Sequence, residues 1–266
     1  MLNSNSLGNP FSGIIKYRDL FFVLIWREFR IRYRQSVVGV LWAVIQPLSM
    51  MLLFTFVFTV IMPVKVADYP YPLFFYAALL PWSFFSSALT SSIPILVNHY
   101  NLVTKIYFPK EILPLSAIGL ALIDLAIASI VFFAMMLLYR VPITGEVLWC
   151  VPLLVLLVMF TVSMSLMLSA LNVYYRDVKL ASGFLVQLWF FLTPVFYSID
   201  RVSEGLKWVL FLNPLTYIVE NMRRCLLEGR GIILWQFMIM LAFNLLISYL
   251  AYRFFRITER RFADVI

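Results

Sequence analysis

Three arginines spaced along one short segment are the residues best placed to do chemistry. Arg27, Arg30 and Arg34 lie within residues 18–35 and share one face of a helix. A guanidinium group can bind two phosphate oxygens at once, so this face suits anionic groups. The other face is apolar and carries Phe22, Ile25, Trp26, Phe29 and Tyr33. The pattern predicts an amphipathic helix at a membrane surface, which either only anchors the chain to anionic lipid or also docks a cytoplasmic partner.

Other reactive residue types are scarce or scattered. The chain has one histidine, His99, and two cysteines, too few for a disulfide scaffold or a Cys-only zinc site. The sequence also lacks the G-x-x-x-x-G-K-[ST] phosphate loop. We therefore expect no metal, no cofactor and no catalytic residue in this chain. A membrane enzyme acting on polyprenyl phosphates would need paired acidic metal ligands, and the acids near the cytoplasmic face are dispersed: Asp19, Glu28, Glu111, Asp177, Glu259 and Asp264.

The composition is that of a membrane protein. Of 266 residues, 63% are apolar and 13% charged, and the mean hydropathy is +0.94. A soluble enzyme with this composition would expose apolar side chains over its whole surface, so that class is excluded. Intrinsic disorder is also excluded, because disordered chains have few apolar residues to bury and this chain has many. We attribute the net charge of +8 to membrane topology and contact with anionic lipid, and we expect no nucleic-acid partner.

Uncharged runs predict an all-α, polytopic fold with six transmembrane helices in a single transmembrane domain, residues 1–266. The six spans are placed at about 38–62, 73–97, 112–138, 147–172, 180–199 and 232–252. The apolar stretch Trp208–Val219 is too short to cross and contains Asn213-Pro214. Residues 201–230 are therefore interpreted as an external re-entrant helical hairpin between the fifth and sixth helices.

Basic residues set the predicted orientation. With six spans, fourteen of the 21 Lys and Arg residues fall on the side of the two termini, and seven fall on the other side. The positive-inside rule then places both termini in the cytoplasm. On that side, the loop 98–111 is too aromatic for a merely solvated connection and suggests contact with a partner.

Two features inside the predicted spans leave alternatives open. Asp124 lies midway along the third span, where an unpaired carboxylate is costly, so it is either neutral, hydrogen-bonded to a neighbouring helix, or part of a proton relay. Aromatic residues make up 17% of the chain, including Trp189-Phe190-Phe191 in the middle of the fifth span. These rings either face lipid or line a pathway, where aromatic faces would contact the C–H faces of sugars.

Five stretches together resemble the membrane subunit of type-2 ABC exporters of bacterial polysaccharides such as O-antigen, capsule and teichoic acid. They are RDLFFVLIWREFRIRYRQSVVGVLWAVIQPL, LLPWSFFSSAL, NLVTKIYFPKEILPL, LNVYYRDVKL and NPLTYIVENMR. The resemblance runs from about residue 18 to the C-terminus. It implies a homodimer in the bacterial inner membrane, with two copies of a separate cytoplasmic ATPase subunit that bind the ATP and magnesium.

The resemblance also implies roles for particular residues. ATPase contacts would come from Arg18–Gln35, from Asn98–Glu111 and from the second cytoplasmic loop, with the coupling residues Tyr100, Asn101, Lys105, Tyr107, Phe108, Arg176 and Asp177. The first and fifth helices would border the translocation path, which points to Trp42, Phe54, Phe58, Trp189, Phe190, Phe196 and Tyr197. Glu220 and Arg223 in the hairpin are the candidate external gate or pairing residues.

The implied cargo is a glycan linked to a polyprenyl pyrophosphate, with membrane lipid around it. Arg27, Arg30 and Arg34 would recruit its phosphates near the cytoplasmic headgroups. The alternative is a type-2 ABC exporter of a small amphiphile or drug, whose path would need no continuous sugar-compatible lining.

Overall fold

The computed structural model describes residues 17–34, 36–63 and 69–262, and every regular element in those ranges is helical. Residues 1–16 of the predicted domain and Gln35 of the predicted interface helix lie outside the described residues. In chain order the α-helices are α1 (Arg18–Tyr33), α2 (Trp42–Phe56), α3 (Tyr71–Ser92), α4 (Ile95–Asn98), α5 (Tyr100–Lys105), α6 (Ile112–Leu138), α7 (Cys150–Tyr174), α8 (Asp177–Leu192), α9 (Glu204–Phe211), α10 (Pro214–Leu226) and α11 (Leu234–Glu259).

Five helical segments are long and apolar enough to cross a membrane: Gly39–Ile61, Tyr71–Ser92, Ile112–Leu138, Gly145–Tyr174 and Leu234–Glu259. They match five of the six predicted spans. Two of them include turns that adjoin the α-helix. The 3₁₀ turn Gly39–Leu41 precedes α2 and the π-helical turn Val57–Ile61 follows it, and the 3₁₀ turn Gly145–Trp149 precedes α7. Gly39 takes the left-handed φ of +57°, which lets the chain turn sharply from α1 into α2.

The remaining predicted span, 180–199, forms a shorter helix than its apolar run suggests. The helix α8 has 16 residues, or about 24 Å at 1.5 Å per residue. It ends because Pro194 disfavours helical geometry in the residue before it, and Thr193 is accordingly extended, with φ −102° and ψ 133°.

Residues 201–230 contain two helices, α9 and α10, joined by a tight turn. The turn is at Asn213, whose side-chain oxygen accepts a hydrogen bond from the N–H of Leu215 and so caps α10. The same side chain binds the end of α8. Its Oδ1 accepts from Trp189 Nε1 at 2.9 Å, and its Nδ2 donates to Thr193 Oγ1 at 2.9 Å. The break after α8 and the hairpin turn are therefore one connected unit.

Two groups of buried apolar side chains form the core. The larger one centres on α3, which packs against α2, α6, α7 and α10. The smaller one gathers residues from α1, from the segment 95–113, from the end of α7 and from the end of α11: Leu24, Ile95, Leu96, Val103, Phe108, Ile112, Leu113, Ala117, Leu166, Ala170, Val173, Phe255 and Phe262. It thus brings together at one end of the molecule the parts predicted to share the cytoplasmic side.

Candidate functional site

The helix α1 is tied to α6 by an ion pair on the face opposite its exposed arginines. Arg32 Nη1 donates to Asp124 Oδ2 at 2.6 Å, and Tyr33 Oη donates to Asp124 Oδ1 at 2.6 Å. Arg32 also donates to Ser91 Oγ of α3 at 3.0 Å. Burial, together with the carboxylate, raises the pKa of Tyr33 to about 12, so the phenol keeps its proton and remains a donor. Asp124 is therefore hydrogen-bonded to a neighbouring helix, one of the alternatives left open above.

Close packing beside this pair brings α1 and α6 together. A Cβ atom added to Gly119 of α6 would lie 2.5 Å from Ile25 Cδ1 of α1. Glycine is therefore the residue that lets the two helices approach so closely.

A second polar contact joins α1 to the loop 98–111. His99 donates from Nδ1 to the carbonyl oxygen of Ile95 at 2.9 Å, and its Nε2 lies 3.3 Å from Glu28 Oε1. The nearby imidazole holds the pKa of the Glu28 carboxyl below its usual range. Both ring nitrogens thus lie close to oxygen atoms, and the imidazole connects α1 to the loop.

The three predicted phosphate-binding arginines share one exposed face. Arg27, Arg30 and Arg34 line an open cleft of about 340 Å³ together with Ile31. None of the three forms an ion pair with an acidic residue in the ranges that the structure describes. The cleft is therefore available to an anion from outside the chain.

Most predicted coupling residues are exposed, but Phe108 is not. Tyr107 is 97% exposed and Tyr100 52% exposed, whereas Phe108 is 6% exposed inside the smaller core. Phe108 belongs to the smaller core, as do residues of α6 and α7. Its role in coupling stays a prediction. Asn101, Lys105, Arg176 and Asp177 are exposed, and their coupling role stays a prediction.

Hydrogen bonds hold the loop 98–111 to the C-terminal end of α11. Glu259 Oε1 accepts from the N–H of Lys110 at 3.1 Å, and Arg256 Nη1 lies 3.9 Å from Glu111 Oε1. Tyr174 donates to the carbonyl of Thr258 at 3.1 Å. The loop 98–111 and the start of the second predicted cytoplasmic loop are therefore both bonded to the C-terminal end of the last helix.

Five of the seven predicted path residues form one aromatic cluster between α2 and the end of α8. Ring centroids of Phe54 and Phe196 are 5.7 Å apart, those of Phe190 and Phe196 5.8 Å, and those of Phe196 and Tyr197 5.0 Å. Phe58 stacks on Phe196 at 6.0 Å. We call Phe54, Phe58, Phe190, Phe196 and Tyr197 the aromatic cluster.

The other two predicted path residues lie elsewhere. Trp189 points about 100° away from Phe190 on the same helix. It is half-buried against the larger core, with its ring 5.1 Å from that of Phe85 and its Nε1 hydrogen-bonded to Asn213, while Phe190 is itself buried in that core. Trp42 lines a separate cavity with Arg32 and Asp124. Whether either residue contacts a substrate stays a prediction.

The predicted gate residues form a buried pair. Arg223 Nη1 donates to Glu220 Oε1 at 3.1 Å, and only 3% of the arginine side chain is exposed. The guanidinium also donates to three backbone carbonyls, those of Phe74, Val195 and Tyr197, and lies 3.7 Å over the Phe74 ring. Arg223 therefore fixes α10 to α3 and to the backbone of the aromatic cluster, and a gating role stays a prediction.

Comparison with known families covers most of this architecture. The protein family described as "ABC-2 type transporter" matches residues 19–227 of this chain. These residues include the first four of the five long apolar segments, together with α8, α9 and α10. The chain belongs to the ABC-2 type transporter family. It is accordingly a multi-pass membrane protein, and the resemblance noted in the sequence is confirmed at the level of the family.

Individual relatives in this family carry more specific names. The chain is 30% identical over 220 residues to the O-antigen export system permease protein RfbA of Myxococcus xanthus, covering 82% of this chain and 84% of that protein. It is 28% identical over 212 residues to a protein of the same name from Klebsiella pneumoniae, covering 79% and 81%. It is 24% identical over 212 residues to the polysialic acid transport protein KpsM of Escherichia coli, covering 77% and 80%.

Sequence reasoning missed the polar, inward side of α1 in this ABC-2 family member. Glu28 and Arg32 are four residues apart and share a face with Leu24, which is 4% exposed. That face meets Asp124 and His99, while Phe22 and Trp26 of the predicted apolar face are 64% and 56% exposed. The available signal was Asp124 itself, since a carboxylate within an apolar span needs a cationic partner.

Proposed function

We propose that this chain is the membrane subunit of an ATP-driven exporter that moves a lipid-linked polysaccharide across the bacterial inner membrane. The observation that carries the proposal is the similarity to O-antigen export permeases, which extends over about four fifths of both chains. In this scheme, ATP and magnesium are bound by two copies of a separate cytoplasmic subunit, and the chain itself performs no covalent chemistry.

The proposed topology has six crossings and both termini in the cytoplasm. Five crossings are the long apolar segments described above. The remaining crossing, fifth in chain order, is α8 continued by the irregular segment that follows Pro194, and α9 with α10 form a re-entrant hairpin. Supporting this, the hairpin turn is bonded to the end of α8 through Asn213. A buried position for α10 suits backbone that enters the membrane beside protein.

A homodimer would place the path between two copies of α2 and α8. Only 6% of the most apolar window of Gly39–Ile61 is buried, and α8 exposes apolar side chains such as Phe184, Leu188 and Phe191. A second copy would cover this surface and bring two aromatic clusters face to face. Their rings would then line the path and contact the sugar faces of a sliding chain without requiring one fixed geometry.

Coupling would begin where the ATPase touches the loop 98–111 and α1. The Glu28–His99 contact and the smaller core join these two elements, so a push on the loop would also displace α1. Since Arg32 binds Asp124, this movement would reach α6 and the first membrane helix behind it.

The arginine cleft would recruit the pyrophosphate of the lipid anchor. Its three guanidinium groups lack acidic partners within the described residues and lie on one face, which suits bidentate contact with phosphate oxygens.

The test is a chromosomal deletion complemented with variants of the chain. The deletion should retain lipid-linked glycan inside the cell and lose it from the surface, and the natural chain should restore export. The triple variant Arg27→Glu, Arg30→Glu, Arg34→Glu should fail to restore export while the complex still assembles. A matched triple charge reversal on the proposed external side, Arg201→Glu, Lys207→Glu, Arg230→Glu, should restore export.

Each result bears on a different part of the proposal. Normal surface glycan in the deletion would exclude polysaccharide export and favour a small amphiphile as cargo. Full export by the arginine triple variant would exclude the phosphate-recruiting role while leaving the exported substrate unchanged.

A further inference from the structure

A cavity of about 600 Å³ lies between α1, α2, α3 and α6, on the inner side of α1. This volume is within the range of about 300–1,000 Å³ that small-molecule sites occupy. The arginine cleft lies on the outer side of the same helix. The two sites are therefore separated by α1 and can hold different parts of a ligand.

The cavity presents balanced charge to a ligand. Among the described residues that line it, Arg32 and Asp124 carry the charges, and they are bonded to each other at 2.6 Å. An anion placed there would lose its hydration without gaining a free cation in exchange. The cavity therefore suits an uncharged group, in contrast to the arginine cleft.

The wall formed by α3 is rich in hydrogen-bond acceptors. Four hydroxyl residues of α3 line the cavity: Ser83, Ser86, Ser87 and Thr90. The hydroxyls of Ser86 and Thr90 donate to backbone carbonyls of their own helix, at 3.3 and 2.7 Å. Their oxygen lone pairs remain available as acceptors. A ligand with O–H donors can therefore bond to Ser86 and Thr90, and the hydroxyls of Ser83 and Ser87 can either accept or donate.

Two further acceptors lie on α2. Pro47 has no N–H, so the carbonyl of Ala43 lacks its usual helical donor, and both residues line the cavity. Gln46 adds an amide that can both accept and donate.

Two tryptophans complete the lining of the cavity. Trp42 is 49% exposed, and its ring can pack against the C–H face of a pyranose and leave the sugar hydroxyls free for the polar wall. Trp82 is only 6% exposed and contributes little surface, and its ring lies 5.5 Å from that of Phe190 in the aromatic cluster. Through Trp82 the cavity adjoins the proposed path.

We propose that this cavity binds an uncharged, hydroxyl-rich group, one or two sugar units, within each copy of the chain. The inference rests on the proposed function and adds to it a place where the sugar portion of the substrate is held apart from its phosphate. Phosphate groups are excluded from the cavity by the Arg32–Asp124 pair.

The test is a binding titration on the full-length chain in phosphatidylcholine nanodiscs, prepared without glycosidic detergent. Tryptophan fluorescence is followed while octyl β-glucoside, octyl phosphate or octanol is added below micellar concentration. The glucoside should give a saturable change in tryptophan fluorescence. This change should be absent in Trp42→Phe and smaller in Trp82→Phe. Octyl phosphate and octanol should each bind at least tenfold more weakly.

Two variants localise the binding. Ser87→Leu should fill the cavity and weaken glucoside binding at least tenfold, whereas Ser49→Leu, an exposed serine of α2 outside the cavity, should leave it unchanged. Should Ser87→Leu fail to fold, Gln46→Leu decides, since Gln46 is exposed and lines the same cavity.

Equal binding of all three probes, or glucoside binding that survives both Ser87→Leu and Gln46→Leu, would overturn the inference. The deletion experiment above is independent of this result. If the glucoside binds but the deletion strain retains no glycan, the proposal of polysaccharide export is refuted and the proposal of a sugar site stands. If the deletion strain retains glycan but the glucoside does not bind, the sugar site is refuted and polysaccharide export stands.

Discussion

Replacing Asp124 by leucine would leave Arg32 with a charge inside the protein and no acidic partner. Both hydrogen bonds that the carboxylate accepts, from Arg32 and from Tyr33, would be lost together. The bond from Arg32 to Ser91 would remain, but a hydroxyl cannot neutralise the guanidinium. We therefore expect the single variant to be unstable, and α1 to lose its fixed position against α6.

The size of the effect follows from the burial of the pair. Breaking a fully buried ion pair by removing one partner costs about 3–5 kcal/mol, and an exposed pair is worth about 0–1 kcal/mol. The side chains of Arg32 and Asp124 are 31% and 18% exposed, which is closer to the buried case. We expect a loss of about 2–4 kcal/mol, or roughly 5–15 °C in Tm for a chain of this size.

A double-substitution cycle separates the pair from a general packing defect. Arg32→Met and Asp124→Leu should each lower Tm, whereas the double variant should lie closer to the natural chain, because two apolar groups of similar volume leave no charge unpaired. Arg18→Met is the matched control on the same helix, since its side chain is 74% exposed.

The measurement is thermal loss of the monodisperse peak in fluorescence-detected size-exclusion chromatography. If the two single effects add in the double variant, then Arg32 and Asp124 do not stabilise the protein as a pair. Equal shifts for Arg18→Met and Arg32→Met would lead to the same conclusion.

Three further predictions use the same assay. Burial raises the pKa of the Glu111 carboxyl, and the neighbouring Glu259 adds to the shift. Ionising Glu111 thus costs more in the folded than in the unfolded chain, and stability is lost as pH rises through the raised pKa; Glu111→Gln should raise Tm at pH 8 but not at pH 4, and an equal gain at both would contradict this. Gly119→Val should cost about 1–3 kcal/mol by overpacking, and Ile25→Ala should recover part of that loss; no recovery would mean that Ile25 is not the obstacle. Asn213→Ala should cost about 0.5–2 kcal/mol from the lost cap of α10 alone, with faster proteolysis between α9 and α10, and an unchanged Tm would show that the turn is held by other contacts.

The membrane-crossing helices could be predicted because uncharged runs of about 20 residues have few other stable structures. The length of α8 was harder to predict. Counting charges placed a span at 180–199, but the helix ends at Leu192, ahead of Pro194 and seven residues before the apolar run ends. The count gives no weight to proline. The turn between α9 and α10 was indicated by Asn213-Pro214 in the sequence.

The positions of the site residues were only partly predictable. Neighbouring rings such as Trp189 and Phe190 point in directions about 100° apart, so a run of aromatic letters cannot say which of them faces a path. Helical periodicity placed Arg27, Arg30 and Arg34 on one face and made no assignment for Glu28 and Arg32, which face inward because partners from α6 and the loop 98–111 meet them there. Such partners depend on tertiary packing, which one helix does not encode.

The bonds of Arg223 have a consequence for how this chain can vary. Its guanidinium donates to the main-chain carbonyls of residues 74, 195 and 197, and at 195 and 197 these bonds do not depend on the side chain. Val195 is fully buried, whereas Tyr197 is only partly buried. A substitution at 197 can therefore change the surface of the aromatic cluster while the attachment of its backbone to α10 is kept.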